Sequence, residues 1–121
     1  MTTKRSKSAA RAVWKAFDEL SPEFAALITE FTNRPRVTYG GRGFGARGLR
    51  VDGKIFAMLD SKGRFVVKVP RPRAHDLVAR GQAIQFEPVP GRPMKEWLVM
   101  TGRRPSWSAL AREAYAYVAS L

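Results

Sequence analysis

Eight basic side chains carry the chemistry this sequence could perform: Arg42, Arg47, Arg50, Lys54, Lys62, Arg64, Arg71 and Arg73. They fall within residues 34–73, which hold 11 Lys and Arg against 2 Asp, so this stretch supplies 11 − 2 = +9 of the chain's +12. Cations so concentrated favour polyanions, and phosphate suits the arginine fork well. A sequence pI near 11.1 extends the same bias to the whole chain. The expected partner is nucleic acid, with DNA first, or an acidic protein. Phosphate contacts position a protein without reading bases, so weak sequence specificity is expected. A merely solvated basic surface is the plainer alternative.

Other chemistries find little support. There is no cysteine and one histidine, His75, which leaves no disulfide, thiolate nucleophile or multi-histidine site within one chain. No HExxH, Walker A or EF-hand pattern occurs. Asp18 and Glu19 stand near an expected helix end, and Asp52 and Asp60 belong to turn signals. No catalytic residue, metal or cofactor is therefore expected, and the protein reads as a non-enzyme. Gly43-Phe-Gly-Ala-Arg-Gly48 matches GxGxxG, but a strand and a hairpin follow it instead of a helix N-terminus, so the dinucleotide reading fails. The glycine-rich run 40–48 reads better as a bend or bulge. Its functional reading is a loop whose N–H groups, with Arg42 and Arg47, meet phosphates. No apolar run approaches the ~18 residues of a membrane span. After a basic start, the stretch Ala9–Ala16 is broken by Arg11 and Lys15, a poor apolar core for a signal peptide. A cytoplasmic protein without membrane contact is expected.

The elements that would position these cations follow from pattern. Residues 49–69 read as three antiparallel strands. Asp52-Gly53 is the first turn, a type I′ signal, and Asp60-Ser-Lys-Gly63 is the second. Alternation sets Ile55, Ala57 and Leu59 on one face of the central strand, with Phe56 and Met58 opposite. In the next strand Phe65, Val67 and Val69 share a face, with Val66 and Lys68 opposite. Residues 1–8 read as a basic arm. Val13, Trp14, Phe17 and Leu20 predict a helix over 8–20. Ser21-Pro22-Glu23 starts a second helix, whose Phe24, Leu27, Ile28 and Phe31 form one stripe. A short strand is expected over 36–39 and a short helix over 74–80, with Leu77 and Val78 inward and Gly81 as its stop. A brief strand over 83–86 and a loop over 88–93 follow, because three prolines there do not suit a ladder. The last strand covers 95–100. Ser106 caps a closing helix with Trp107, Leu110, Ala111, Ala114, Val118 and Leu121 along one stripe.

This order predicts an α+β fold over residues 9–121: a curved antiparallel sheet of about five or six strands. Two N-terminal helices, a short middle helix and a C-terminal helix would accompany it. A second functional reading rests on aromatic surplus. Trp14, Trp97, Trp107, Tyr115 and Tyr117 exceed what one core easily holds, and exposed aromatics anchor protein–protein interfaces.

Phe44-Gly45, Gly48-Leu49 and Val51-Asp52-Gly53-Lys54-Ile55-Phe56-Ala57 resemble the FG-x-x-GL-x-x-x-GK-x-FA signature of the TfoX amino-terminal domain. Gly43 stands where that family often has Met. Phe65-Val-Val-Lys68, Phe86, Gly91-Arg-Pro-Met-Lys-Glu-Trp97 and the closing helix extend the resemblance over about residues 20–121, and to the YjbR and MmcQ group. The resemblance implies an α+β fold similar to that of the CyaY group. It also implies DNA binding or transcriptional regulation, and it brings no catalytic residue.

Overall fold

The computed structural model describes residues 22–40 and 47–121. The basic arm, the helix expected over 8–20, Ser21, Trp14 and Arg42 lie outside them. In the described residues the chain runs α1 (Pro22–Thr32), β1 (Val37–Tyr39), β2 (Gly48–Val51), β3 (Lys54–Leu59) and β4 (Phe65–Lys68). It continues through α2 (Arg71–Ala79), β5 (Ala83–Val89), β6 (Arg92–Met100) and α3 (Trp107–Ala119). The fold is α+β. Six antiparallel strands form one open sheet in the order β1-β2-β3-β4-β6-β5.

Periodicity explains the layers. The α1 stripe Phe24, Leu27, Ile28 and Phe31 is buried, as are Leu110, Ala111, Ala114 and Val118 of α3. With Ala74 and Leu77 of α2 they join Leu49, Val51, Phe65, Val67, Leu98 and Met100 in one cluster. All three helices thus cover the same face of the sheet. The opposite face carries a smaller cluster of Met58, Val66, Phe86, Trp97 and Val99, with Ile55 packed beside it. Trp107 stacks on Phe65 with centroids 4.5 Å apart, and Tyr115 fits between Phe31 and Phe56.

Local signals fix the ends. Ser106 accepts from the Ala109 N–H at 3.1 Å and so caps α3. At the end of α2, the Gly81 N–H reaches the Val78 carbonyl and the Gln82 N–H reaches Leu77, a Schellman closure with Gly81 at φ 73°. Asp52 and Gly53 both take positive φ, as the two-residue hairpin demands.

Four expectations need correction. In β3, Leu49 pairs with Ala57 and Arg50 with Ile55, leaving Phe56 as an unpartnered bulge residue. Phe56 therefore turns toward the helices, against Phe31 and Tyr115, while Ile55 goes to the other face. Simple alternation had the two exchanged. Residues 88–93 form a hairpin, not a loop: Val89 pairs with Arg92 across Pro90-Gly91. Pro88 is tolerated because β5 is an edge strand, and Pro93 because β4 pairs only with the far end of β6. Val78 is 39% exposed and Leu121 56%, since both fall outside the stripes that touch the sheet.

The bulge yields a direct expectation. Phe56→Ala should cost about 3–5 kcal/mol, as for a fully buried aromatic. Ile55→Ala should cost less than half of that. Urea midpoints of both variants check the ordering, and the reverse order would place Ile55 against the helices.

Candidate nucleic-acid interface

The β3–β4 turn is built around one carboxylate. Asp60 Oδ1 accepts the backbone N–H groups of Lys62 at 3.0 Å and Arg64 at 2.8 Å, and Oδ2 accepts Arg64 Nε at 2.7 Å. Its side chain is nearly buried. Burial works against its charge, yet the Arg64 N–H, the Arg64 guanidinium and the Lys62 N–H together hold the carboxyl below its usual range. Gly63, at φ 77°, lets the loop close on this centre.

Beside the turn opens a cleft of about 550 Å³, bounded on its far side by the outer half of the β5–β6 hairpin. Arg47, Lys62 and Arg64 stand on the sheet side. Met58 and Phe86 form the floor, and Pro88 and Pro90 the far wall. The hairpin reaches this position through a register change: Gln85 pairs with Leu98 but Phe86 with Met94, which leaves residues 95–97 without partners on β5. Arg47 ends the described β2 side of the cleft, its carbonyl accepting the Leu59 N–H at 3.2 Å. Glu87 lines the hairpin wall.

The structure brings three of the eight expected cations together here: Arg47, Lys62 and Arg64. The others are spread. Arg50 Nε donates to the Gly40 carbonyl at 3.1 Å, and Lys54 Nζ to the Leu121 carbonyl at 3.4 Å. Arg73 joins Glu113 at 2.9 Å and Asp76 at 3.0 Å. Its hydrogen bond to Glu113 comes first in raising its pKa above the ordinary arginine value. Arg71 lies by a second hollow of about 470 Å³, with His75, Lys95, Val78 and Ile84.

Neighbouring cations are also occupied. Arg36 pairs with Asp52, Arg34 lies 4.8 Å over the Phe31 ring and 4.6 Å over Tyr115, and Lys68 lies 5.9 Å from the Trp97 centroid. Among the described residues, Arg47, Lys62 and Arg71 enter no ion pair or hydrogen bond through their side chains. Arg47 and Lys62 are exposed and share the cleft.

Sequence reasoning missed the hairpin side of the cleft. Phe86, Glu87, Pro88 and Pro90 were absent from the expected site because the proline-rich run reads as a loop. The apolar Phe86 before it was the available signal. The aromatics expected at an interface lie away from the cleft: Trp97 is 9% exposed, Trp107 and Tyr115 are half-buried against the core, and Tyr117 hydrogen-bonds Glu96.

Comparison with protein-family models, curated proteins and solved structures finds no match for the chain.

Asp60 gives a stability prediction with a definite sign. Its folded pKa is lowered, so its contribution is present above the unfolded value near 3.8 and is lost as pH falls through the folded value. Asp60→Asn should cost about 1–3 kcal/mol at pH 7, by leaving a turn N–H and Arg64 poorly paired. The gap between variant and parent should narrow on acidification below about pH 4, as read from urea midpoints across pH.

Proposed function

We propose that the protein is a small basic nucleic-acid-binding module, DNA being the first candidate, that grips phosphate without catalysis. The single observation carrying this reading is the placement of Arg47 and Lys62 on one cleft, both exposed and, among the described residues, neither entering an ion pair or hydrogen bond through its side chain. Arg64 stands with them, oriented by Asp60. A side chain already bound to a carboxylate offers less to a phosphate, so Arg73 and Arg36 contribute less than their charge suggests. The net charge of +12 supplies a sequence-independent attraction around this centre. The resemblance of the glycine hairpin sequence to the TfoX amino-terminal domain, and the YjbR-like and CyaY-like fold that this resemblance implies, belong to the same reading. So do a second N-terminal helix and a cytoplasmic, transcription-regulatory setting. Among the described residues, no helix is long and apolar enough to cross a membrane.

The test is fluorescence anisotropy with labelled oligonucleotides at 50 and 200 mM salt. Binding should weaken with salt. Arg47→Ala with Lys62→Ala should flatten the log K against log salt slope by about 1.4–1.8, for two lost phosphate contacts. The weakening should be alike for all sequences. No binding at 50 mM, or binding indifferent to salt, overturns the reading.

A further inference from the structure

The cleft has a shape that phosphate contacts alone do not need. Its cations stand at the turn side, Met58 and Phe86 lie buried beneath its floor, and the exposed rings of Pro88 and Pro90 make an apolar far wall. A volume of about 550 Å³ lies within the ~300–1,000 Å³ of small-ligand sites. A duplex keeps its base faces stacked inside and offers such a cleft only its backbone and base edges. An unpaired nucleotide can put its phosphate at Arg47 and Lys62 and lay its base against the apolar wall. Single-strand sites combine these two features, a basic track and surfaces that take a base face.

Glu87 adds a polar end. It lines the hairpin wall and enters no ion pair among the described residues. Asp60, the other carboxylate in the cleft, is taken up by Arg64 and two backbone N–H groups. Glu87 would repel a phosphate, which orients the nucleotide with its phosphate toward the turn and its base toward the hairpin. A carboxylate accepts a hydrogen bond from the exocyclic amino group of cytosine N4, whereas thymine offers only its N3–H, set between two carbonyl oxygens that repel the carboxylate.

We infer that the cleft between the β3–β4 turn and the β5–β6 hairpin holds one unpaired, amino-bearing nucleotide of a single strand. Arg47 and Lys62 take its phosphate and Glu87 reads its base. This rests on the nucleic-acid reading above and narrows it.

Anisotropy titrations of the full chain with labelled dC and dT 12-mers and a 12-base-pair duplex, at 50 mM salt, separate the two. The dC strand should bind at least about fivefold more tightly than the duplex, within the range one stacked base supplies. It should also bind about threefold more tightly than dT, and Glu87→Gln should erase that preference while keeping the affinity for dT. Circular dichroism confirms that the variant is folded. Binding to none of the three overturns the nucleic-acid reading itself. Duplex binding equal to or tighter than dC overturns only the single-strand inference. Equal dC and dT binding, or a preference that survives Glu87→Gln, overturns the role of Glu87.

Discussion

The unpartnered Phe56 sets the order of the sheet. One extra residue in β3 lets Phe56 and Ala57 both serve the helix side. The strand then resumes its alternation with Met58 facing away and Leu59 facing inward. A strand has period two, so a single insertion exchanges every face beyond it. From Ala57 to Leu59 the ladder with β4 runs without irregularity, so Met58 faces the cleft floor and Asp60 enters the turn in unbroken register. The ring of Phe56 meanwhile contacts Phe31 and Tyr115, which ties the middle of the sheet to α1 and α3. The irregularity ties the sheet to its helices, and the candidate site lies on the regular ladder just beyond it.

Most of the arginines near the sheet serve the fold. Arg36 bridges to Asp52, two residues that both hold positive φ. Arg112 bridges to Glu30, joining α3 to α1, and Arg73 bridges α2 to Glu113 on α3. Solvent screens exposed pairs of this kind, so their effect is mainly geometric. They also remove charge from the pool open to a ligand. Net charge thus overstates binding capacity, and the cations that matter are those the fold leaves unengaged.

Much of the architecture was legible from short-range signals. The Asp52-Gly53 turn, the Gly81 stop, the Ser106 cap and the alternation of β4 each depend on residues close in sequence. The bulge at Phe56 was not, because a bulge is defined by the partner strand's register, which the strand's own residues do not display. The 88–93 hairpin was hidden for a related reason: proline is excluded only where a neighbour needs its N–H, and the neighbours are a matter of topology. The cationic site was legible in kind but not in membership. Arg73 and its partner Glu113 lie forty residues apart, a separation no local pattern spans. Arg47 and Lys62 meet only because β2 and the β3–β4 turn come together at one end of the sheet.

The outermost strand carries a proline at position 88, and its hairpin partner carries another at 93. Each lacks the amide hydrogen that an incoming chain would need to extend the ladder. The open margin is thus poorly suited to templating cross-β growth, although Val89 there is 54% exposed. Pro88 interrupts the row of N–H donors on β5, and Pro93 interrupts it on the half of β6 that β4 leaves uncovered, so neither margin offers an unbroken template.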